Sequence, residues 1–95
     1  MTNAVVAIGG NAILKKDQPA TKENQQRNLE ETSRHIVSMV QAGYNITLTH
    51  GNGPQVGDIL IQNEVARREV PPMPLDVCVA ESQGLVGFML QQALT

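Results

Sequence analysis

His50-Gly51-Asn52-Gly53-Pro54-Gln55-Val56-Gly57 follows directly on the alternating run Tyr44-Asn45-Ile46-Thr47-Leu48-Thr49, and the join between them decides the fold. The β-branched residues Ile46, Thr47 and Thr49, spaced by alternation, predict a strand over 44–50. The three glycines behind it let the main chain approach a ligand without interference from a Cβ, and Pro54 suits the first turn of a helix. A strand that runs through such a loop into a helix exposes backbone N–H groups at the helix end that favours anions.

Upstream, Ala4-Val5-Val6-Ala7-Ile8 is a continuous apolar run, the pattern of a strand buried on both faces of a parallel sheet, and Gly9-Gly10-Asn11-Ala12 forms a second glycine loop behind it. Residues 11–21 read as a surface loop anchored by Ile13 and Leu14. From Thr21 or Lys22 to Ala42 a helix is predicted, with Leu29, Ile36, Val37 and Val40 on its inner face and Gly43 at its C-terminal end. A strand, a helix of about five turns and a second strand make a βαβ unit with parallel strands and a right-handed crossover. Both glycine loops then leave the same carboxyl edge of the sheet, about 4.8 Å apart if the strands are neighbours and about 10 Å apart if one strand intervenes.

Downstream, a second helix is expected from Pro54 to about Arg68, with Val56, Ile59, Leu60 and Val65 facing inward. Val70-Pro71-Pro72-Met73-Pro74 must be extended. Asp76 is a candidate N-cap for a third helix reaching Ala93, with a strand beginning over 75–79 as the competing reading. Ala80, Gly84 and Gly87 would place small residues on one face of that helix, where a neighbouring helix could approach closely. Two parallel strands are few for a sheet of this kind, so the sequence reads as the front of a larger α/β domain.

Ninety-five residues make at most one domain, and 41% hydrophobic with 17% charged residues is ordinary for a globular chain. With a net charge of −2, no Trp, one Tyr and one Phe, the chain lacks the basic patch and stacking platforms of a nucleic-acid binder. Cys78 is the single cysteine, which excludes an internal disulfide and a cysteine-built metal site. Neither a basic n-region with a signal-like apolar stretch nor a membrane-length apolar run is present, so no membrane association and a cytoplasmic location are expected.

Two glycine-and-asparagine loops at one sheet edge suit a phosphate-sized anion, with Asn11 and Asn52 adding side-chain amide donors. The competing reading is a pair of ordinary βα turns that use Gly and Asn for left-handed conformations. No Gly-Lys-Ser/Thr follows either loop, which excludes a Walker A motif, and Gly51-x-Gly53-x-x-x-Gly57 is only a loose variant of the dinucleotide fingerprint. His50 and His35 read as structural and solvated histidines, Cys78 as a small packed residue, and Lys15 and Lys16 as a wet loop that could also reach an anion.

Val5-Val6-Ala7-Ile8-Gly9-Gly10-Asn11-Ala12-Ile13-Leu14, Thr49-His50-Gly51-Asn52-Gly53-Pro54-Gln55-Val56-Gly57 and Met73-Pro74-Leu75-Asp76-Val77-Cys78-Val79-Ala80-Glu81-Ser82-Gln83-Gly84 together resemble the N-terminal part of carbamate kinases, of the amino acid kinase superfamily. Related acylphosphate-forming kinases carry a lysine in the first strand, where this chain has Val5-Val6-Ala7. The resemblance implies a three-layer αβα fold with a mainly parallel sheet, of which residues 1–95 are one part of a single domain. It implies reversible phosphoryl transfer between ATP and carbamate, giving ADP and carbamoyl phosphate, with Mg²⁺ accompanying the nucleotide, a homodimeric enzyme and a role in arginine fermentation or purine breakdown.

Matched residue by residue, the resemblance gives Gly10 and Asn11 the stabilisation of the transferring phosphoryl group. Gly9, Gly51, Asn52 and Gly53 become substrate-binding, and no residue is a metal ligand. The family's catalytic lysines and nucleotide-binding half have no counterpart in these residues, so the segment alone is expected to be inactive. Two alternatives stand beside this reading: another acylphosphate-forming amino acid kinase, and a non-catalytic remnant serving as an anion-binding or dimerisation module.

Overall fold

The computed structural model describes residues 2–95. Its elements run β1 (Thr2–Ile8), α1 (Gly10–Ile13), α2 (Lys22–Gln41), β2 (Tyr44–His50), α3 (Gly53–Val65) and α4 (Leu75–Leu94). β1 and β2 pair directly and in parallel, with Ala4 opposite Ile46, Val6 opposite Leu48 and Ile8 opposite His50. The adjacent-strand alternative is therefore the one that holds, and both strands end at the same level.

Period-two alternation divides the sheet into unlike faces. Ile8 is buried in a core with Ile13, Leu29, Ile36, Val86, Met89 and Leu90, Ile46 and Leu48 pack partly buried against it, and Val6 is half-buried on the same face. The opposite face carries Asn3, Val5, Ala7, Asn45, Thr47 and Thr49, all exposed, with Val5 72% exposed. β1 was expected to be buried on both faces. Among the described residues only one face is covered, because α2 lies against β2 and α4 packs on α2 from the same side. The α/β class and parallel sheet are as expected, and the described residues supply the sheet and one helical side of it.

α2 begins where Thr21 accepts a hydrogen bond from the Asn24 N–H at 3.1 Å and ends before Gly43, whose φ of +99° suits glycine. Its inner face differs from the expected one. Leu29 and Ile36 are buried, but Val37 and Val40 are exposed, and Gln25, Gln26, Asn28 and Ser33 take the remaining inward positions. The amides there bind main chain: Gln26 Nε2 donates to Met89 O at 2.9 Å, and Asn28 Nδ2 donates to Ile13 O at 3.0 Å. Residues 11–13 are not loop as expected, since Leu14 N–H donates to Gly10 O at 2.8 Å and closes a helical turn that seats Ile13 in the core.

α3 stops at Val65, earlier than Arg68, and Leu60 and Val65 of its expected inner face are exposed. The connector at 71–74 is extended, and helix rather than strand follows it. Pro74, not Asp76, occupies the cap position, while Asp76 lies in the first turn. α4 meets α2 and α3 through a stripe of Cys78, Ser82, Val86, Met89 and Leu90. Ala80 and Gly84 are exposed, and a Cβ built at Gly84 or Gly87 meets nothing within 4 Å, so the small-residue face takes no part in this packing.

The radius of gyration is 15.3 Å, against about 12 Å for a compact chain of this length. The accessible surface of 6462 Å² likewise exceeds the about 5,400 Å² of a folded monomer of this mass. An open sheet face and two unpaired strand edges account for the excess.

Candidate functional site

Parallel pairing in register brings the two glycine loops together: Gly51 N–H donates to Ile8 O at 3.3 Å, so each loop leaves the sheet beside the other. Gly9, Gly10, Asn11, Gly51 and Gly53 are exposed and Asn52 is half-buried. Gly10 and Asn11 open α1, and their N–H groups have no hydrogen-bond partner among the described residues. At α3 the first intrahelical bond runs from Val56 N–H to Asn52 O at 2.9 Å, Pro54 has no N–H, and the N–H groups of Gly53 and Gln55 are unpartnered among the described residues. Unsatisfied amides at two adjacent helix starts can hold an anion.

The side chain of Asn52 departs from expectation. Its Nδ2 donates to Ser82 Oγ at 2.6 Å and lies 3.5 Å from Val79 O. Ser82 Oγ in turn donates to Val79 O at 2.7 Å, which leaves it only lone pairs to offer Asn52 and so fixes the orientation of the Asn52 amide. Asn52 is thus tied to α4 and brings a backbone N–H to the loop rather than a side-chain donor. Asn11 is exposed, with no side-chain hydrogen bond among the described residues.

Beneath the edge, a chain of amides joins the starts of α2 and α3. Gln25 Nε2 donates to Ala20 O at 3.1 Å and Thr21 O at 3.3 Å, which turns Gln25 Oε1 toward Gln55, whose Nε2 donates to it at 2.8 Å. Gln55 is 3% exposed, and its Oε1 is buried without a partner among the described residues. The residue just past the glycines is therefore held by its amide nitrogen.

Among the described residues, β1, β2 and the two glycine loops contain no Lys or Arg. Lys15 pairs with Glu31 at 3.7 Å in a small cleft with Asn11, Asn28 and His35, and both partners of that pair are exposed. His50 is half-buried with Nδ1 3.1 Å from Gly51 O, a local contact that fits a structural histidine. Cys78 is fully buried beside Asn63 and Met73 O, and burial, then Glu81 and Asp76, push its thiol above the ordinary value. No group of three His, Cys, Asp or Glu side chains gathers among the described residues, and neither loop carries a carboxylate. These residues alone do not fit Mg²⁺.

Ser82, Gln25, Gln55 and Asn63, which accepts the Met73 N–H at 2.8 Å, escaped the sequence reading. For Ser82 a signal was present: 78, 82, 86 and 89 form one helical stripe, and a hydroxyl within it needs a partner.

A parallel βαβ unit that presents unsatisfied amides from two loops at one carboxyl edge defines an α/β protein with its candidate site at the switch from strand to helix. The amino acid kinase family pattern matches residues 3–95, and the chain belongs to that family. It is 47% identical over 95 residues to the carbamate kinase of Escherichia coli, covering all of this chain and 31% of the relative. With carbamate kinase 1 of Enterococcus faecium it shares 48% identity over 91 residues, covering 95% of this chain and 29% of the relative. The solved carbamate kinase of Giardia lamblia bound to AMP-PNP superposes with a TM-score of 0.95 at 44% identity, covering 98% of this chain and 33% of that one. The chain thus spans about a third of the length of the relatives it matches.

Proposed function

We propose that residues 1–95 form the N-terminal part of a single carbamate kinase domain and supply half of its active site, for reversible phosphoryl transfer between ATP and carbamate. The observation that carries this reading is the meeting of the two glycine loops, joined by the Gly51 N–H to Ile8 O bond, in a chain 47% identical to a carbamate kinase along its whole length. Transfer between two anions needs alignment and charge stabilisation more than a protein nucleophile. Gly10 and Asn11 donate N–H groups to the moving phosphoryl group, next to Gly9. Gly51, Asn52 and Gly53 line the carbamate or carbamoyl phosphate side through their main chain. Mg²⁺ would arrive with ATP or ADP and neutralise phosphate charge.

Lys15, Lys16 and Lys22 lie outside both strands and both glycine loops, and Lys15, in the cleft beside Asn11, is paired with Glu31, so the cations that complement the transferred phosphoryl group come from outside these residues. Residues 1–95 alone are therefore expected to be inactive, and the complete enzyme is proposed to be a cytoplasmic homodimer in arginine metabolism that contacts neither nucleic acid nor membrane.

The test is a chimera in which residues 1–95 replace the matching segment of the Escherichia coli carbamate kinase. ADP-dependent consumption of carbamoyl phosphate within about tenfold of the parent supports the reading. A folded chimera with no turnover contradicts it.

A further inference from the structure

We propose that Ser82 is a positioning residue that holds the Asn52 side chain away from its own helix, keeping the first-turn N–H groups of α3 open to the substrate anion. This rests on the reading of the site given above. Asparagine at a helix start ordinarily turns its side-chain oxygen onto the N–H two or three residues on. Thr21 does this at α2, accepting from Asn24 N–H at 3.1 Å. Asn52 stands at the equivalent place on α3 and makes no such bond.

Geometry supplies the reason. Ser82 is fully buried on the inner stripe of α4, and its hydroxyl proton is committed to Val79 O at 2.7 Å. Only its lone pairs are left, and Asn52 Nδ2 fills that vacancy at 2.6 Å with Val79 O 3.5 Å away. Two acceptors on α4 thus draw the amide off the start of α3, and Gln55 N–H stays without a partner among the described residues. Asn52 has φ of −149° and ψ of 20°, not the extended −76° and 158° of the capping residue Thr21, so its backbone too is out of capping geometry.

Without the Ser82 hydroxyl, Asn52 is released to move toward the extended geometry of Thr21 and accept from Gln55 N–H through Oδ1. That movement would consume one donor and set a carbonyl oxygen over the loop, where it opposes an anion.

The experiment compares Ser82→Ala, Ser82→Thr, Asn52→Ala and the Ser82→Ala/Asn52→Ala double variant in the same chimera. Ser82→Ala should raise KM for carbamoyl phosphate about tenfold and leave KM for ADP within twofold, and Ser82→Thr should keep more affinity for carbamoyl phosphate than Ser82→Ala. A loss of folded protein alone would lower the apparent kcat and move neither KM. The double variant should be no worse than Asn52→Ala.

Hydrogen exchange across residues 52–56 gives a readout independent of turnover: Ser82→Ala should slow it, because a cap protects Gln55 N–H. Lack of turnover in the unmutated chimera would remove the functional reading, while the exchange comparison would still test the role of Ser82. An unchanged KM for carbamoyl phosphate with full additivity in the double variant, or unchanged or faster exchange, would overturn the proposal.

Discussion

The starts of α2 and α3 each carry a cap-forming residue, Thr21 and Asn52, and are finished in opposite ways. At α2, Thr21 caps its own helix, and no glycine precedes it. At α3, Asn52 sits between two glycines, its side chain is bound to α4, and the helix start is left open. The first arrangement stabilises a helix, and the second gives up that stabilisation and leaves donors for something else. Gln25 and Gln55 join the two starts at 2.8 Å, so the closed end supports the open one.

Asn52→Ala should break the comparison most severely. Removing the tether to Ser82 deletes no donor to the anion but lets the 51–53 loop move, and a misplacement of about 1 Å in such a site costs about 100-fold, roughly 2.7 kcal/mol of transition-state stabilisation. In the chimera kcat/KM for carbamoyl phosphate should fall accordingly, while thermal unfolding shows the fold intact.

Gln25→Ala attacks the link between the two ends. It strands Gln55 Nε2 beside an Oε1 that already lacks a partner, so a destabilisation of about 1–3 kcal/mol is expected, read from denaturant unfolding. Thr21→Ala should cost about 1 kcal/mol of stability, with KM for carbamoyl phosphate unchanged, because that helix end serves no ligand. A shift in KM on this change would mean that the closed end is also functional.

The smallest effect concerns Cys78, on the α4 stripe that carries Ser82. Its folded pKa is raised by burial, with Glu81 and Asp76 adding to the shift, so the folded chain holds the thiol proton more tightly than the unfolded one. Its contribution is full below the unfolded pKa of about 8.5 and is lost as pH rises through the higher folded value. The melting temperature should therefore decline above about pH 9 more steeply than in Cys78→Ser, and the native thiol should resist alkylation at neutral pH.

The sheet edge was legible from local signals alone. Alternation at Tyr44–His50 gave that strand its observed limits, and two strands around one helix required parallel pairing, which set the glycine loops side by side. Thr21 and Gly43 bounded α2 for the same reason, since caps depend on a few neighbouring residues. Faces were less legible. Val37, Val40, Leu60 and Val65 look like core by spacing but are exposed among the described residues, where Gln25, Ser33 and Gln55 lie inside instead.

Four-residue α1 is too short for any period to declare it. The direction of Asn52 could not be read from its own loop, because the acceptor that holds it lies 30 residues away on α4. Local glycines and prolines announce that a helix start is exposed, and only the tertiary contact says whether it is open.

The central claim is that one anion sits between the two loops, held by main-chain donors of both. A crystal structure of the chimera with carbamoyl phosphate tests it most directly. The account predicts ligand oxygens within about 3.2 Å of N–H groups from the Gly9–Asn11 loop and from the Gly51–Gly53 loop together, with Asn52 still bound to Ser82. A ligand held by one loop only, or bound elsewhere with Asn52 turned back to cap α3, would contradict it.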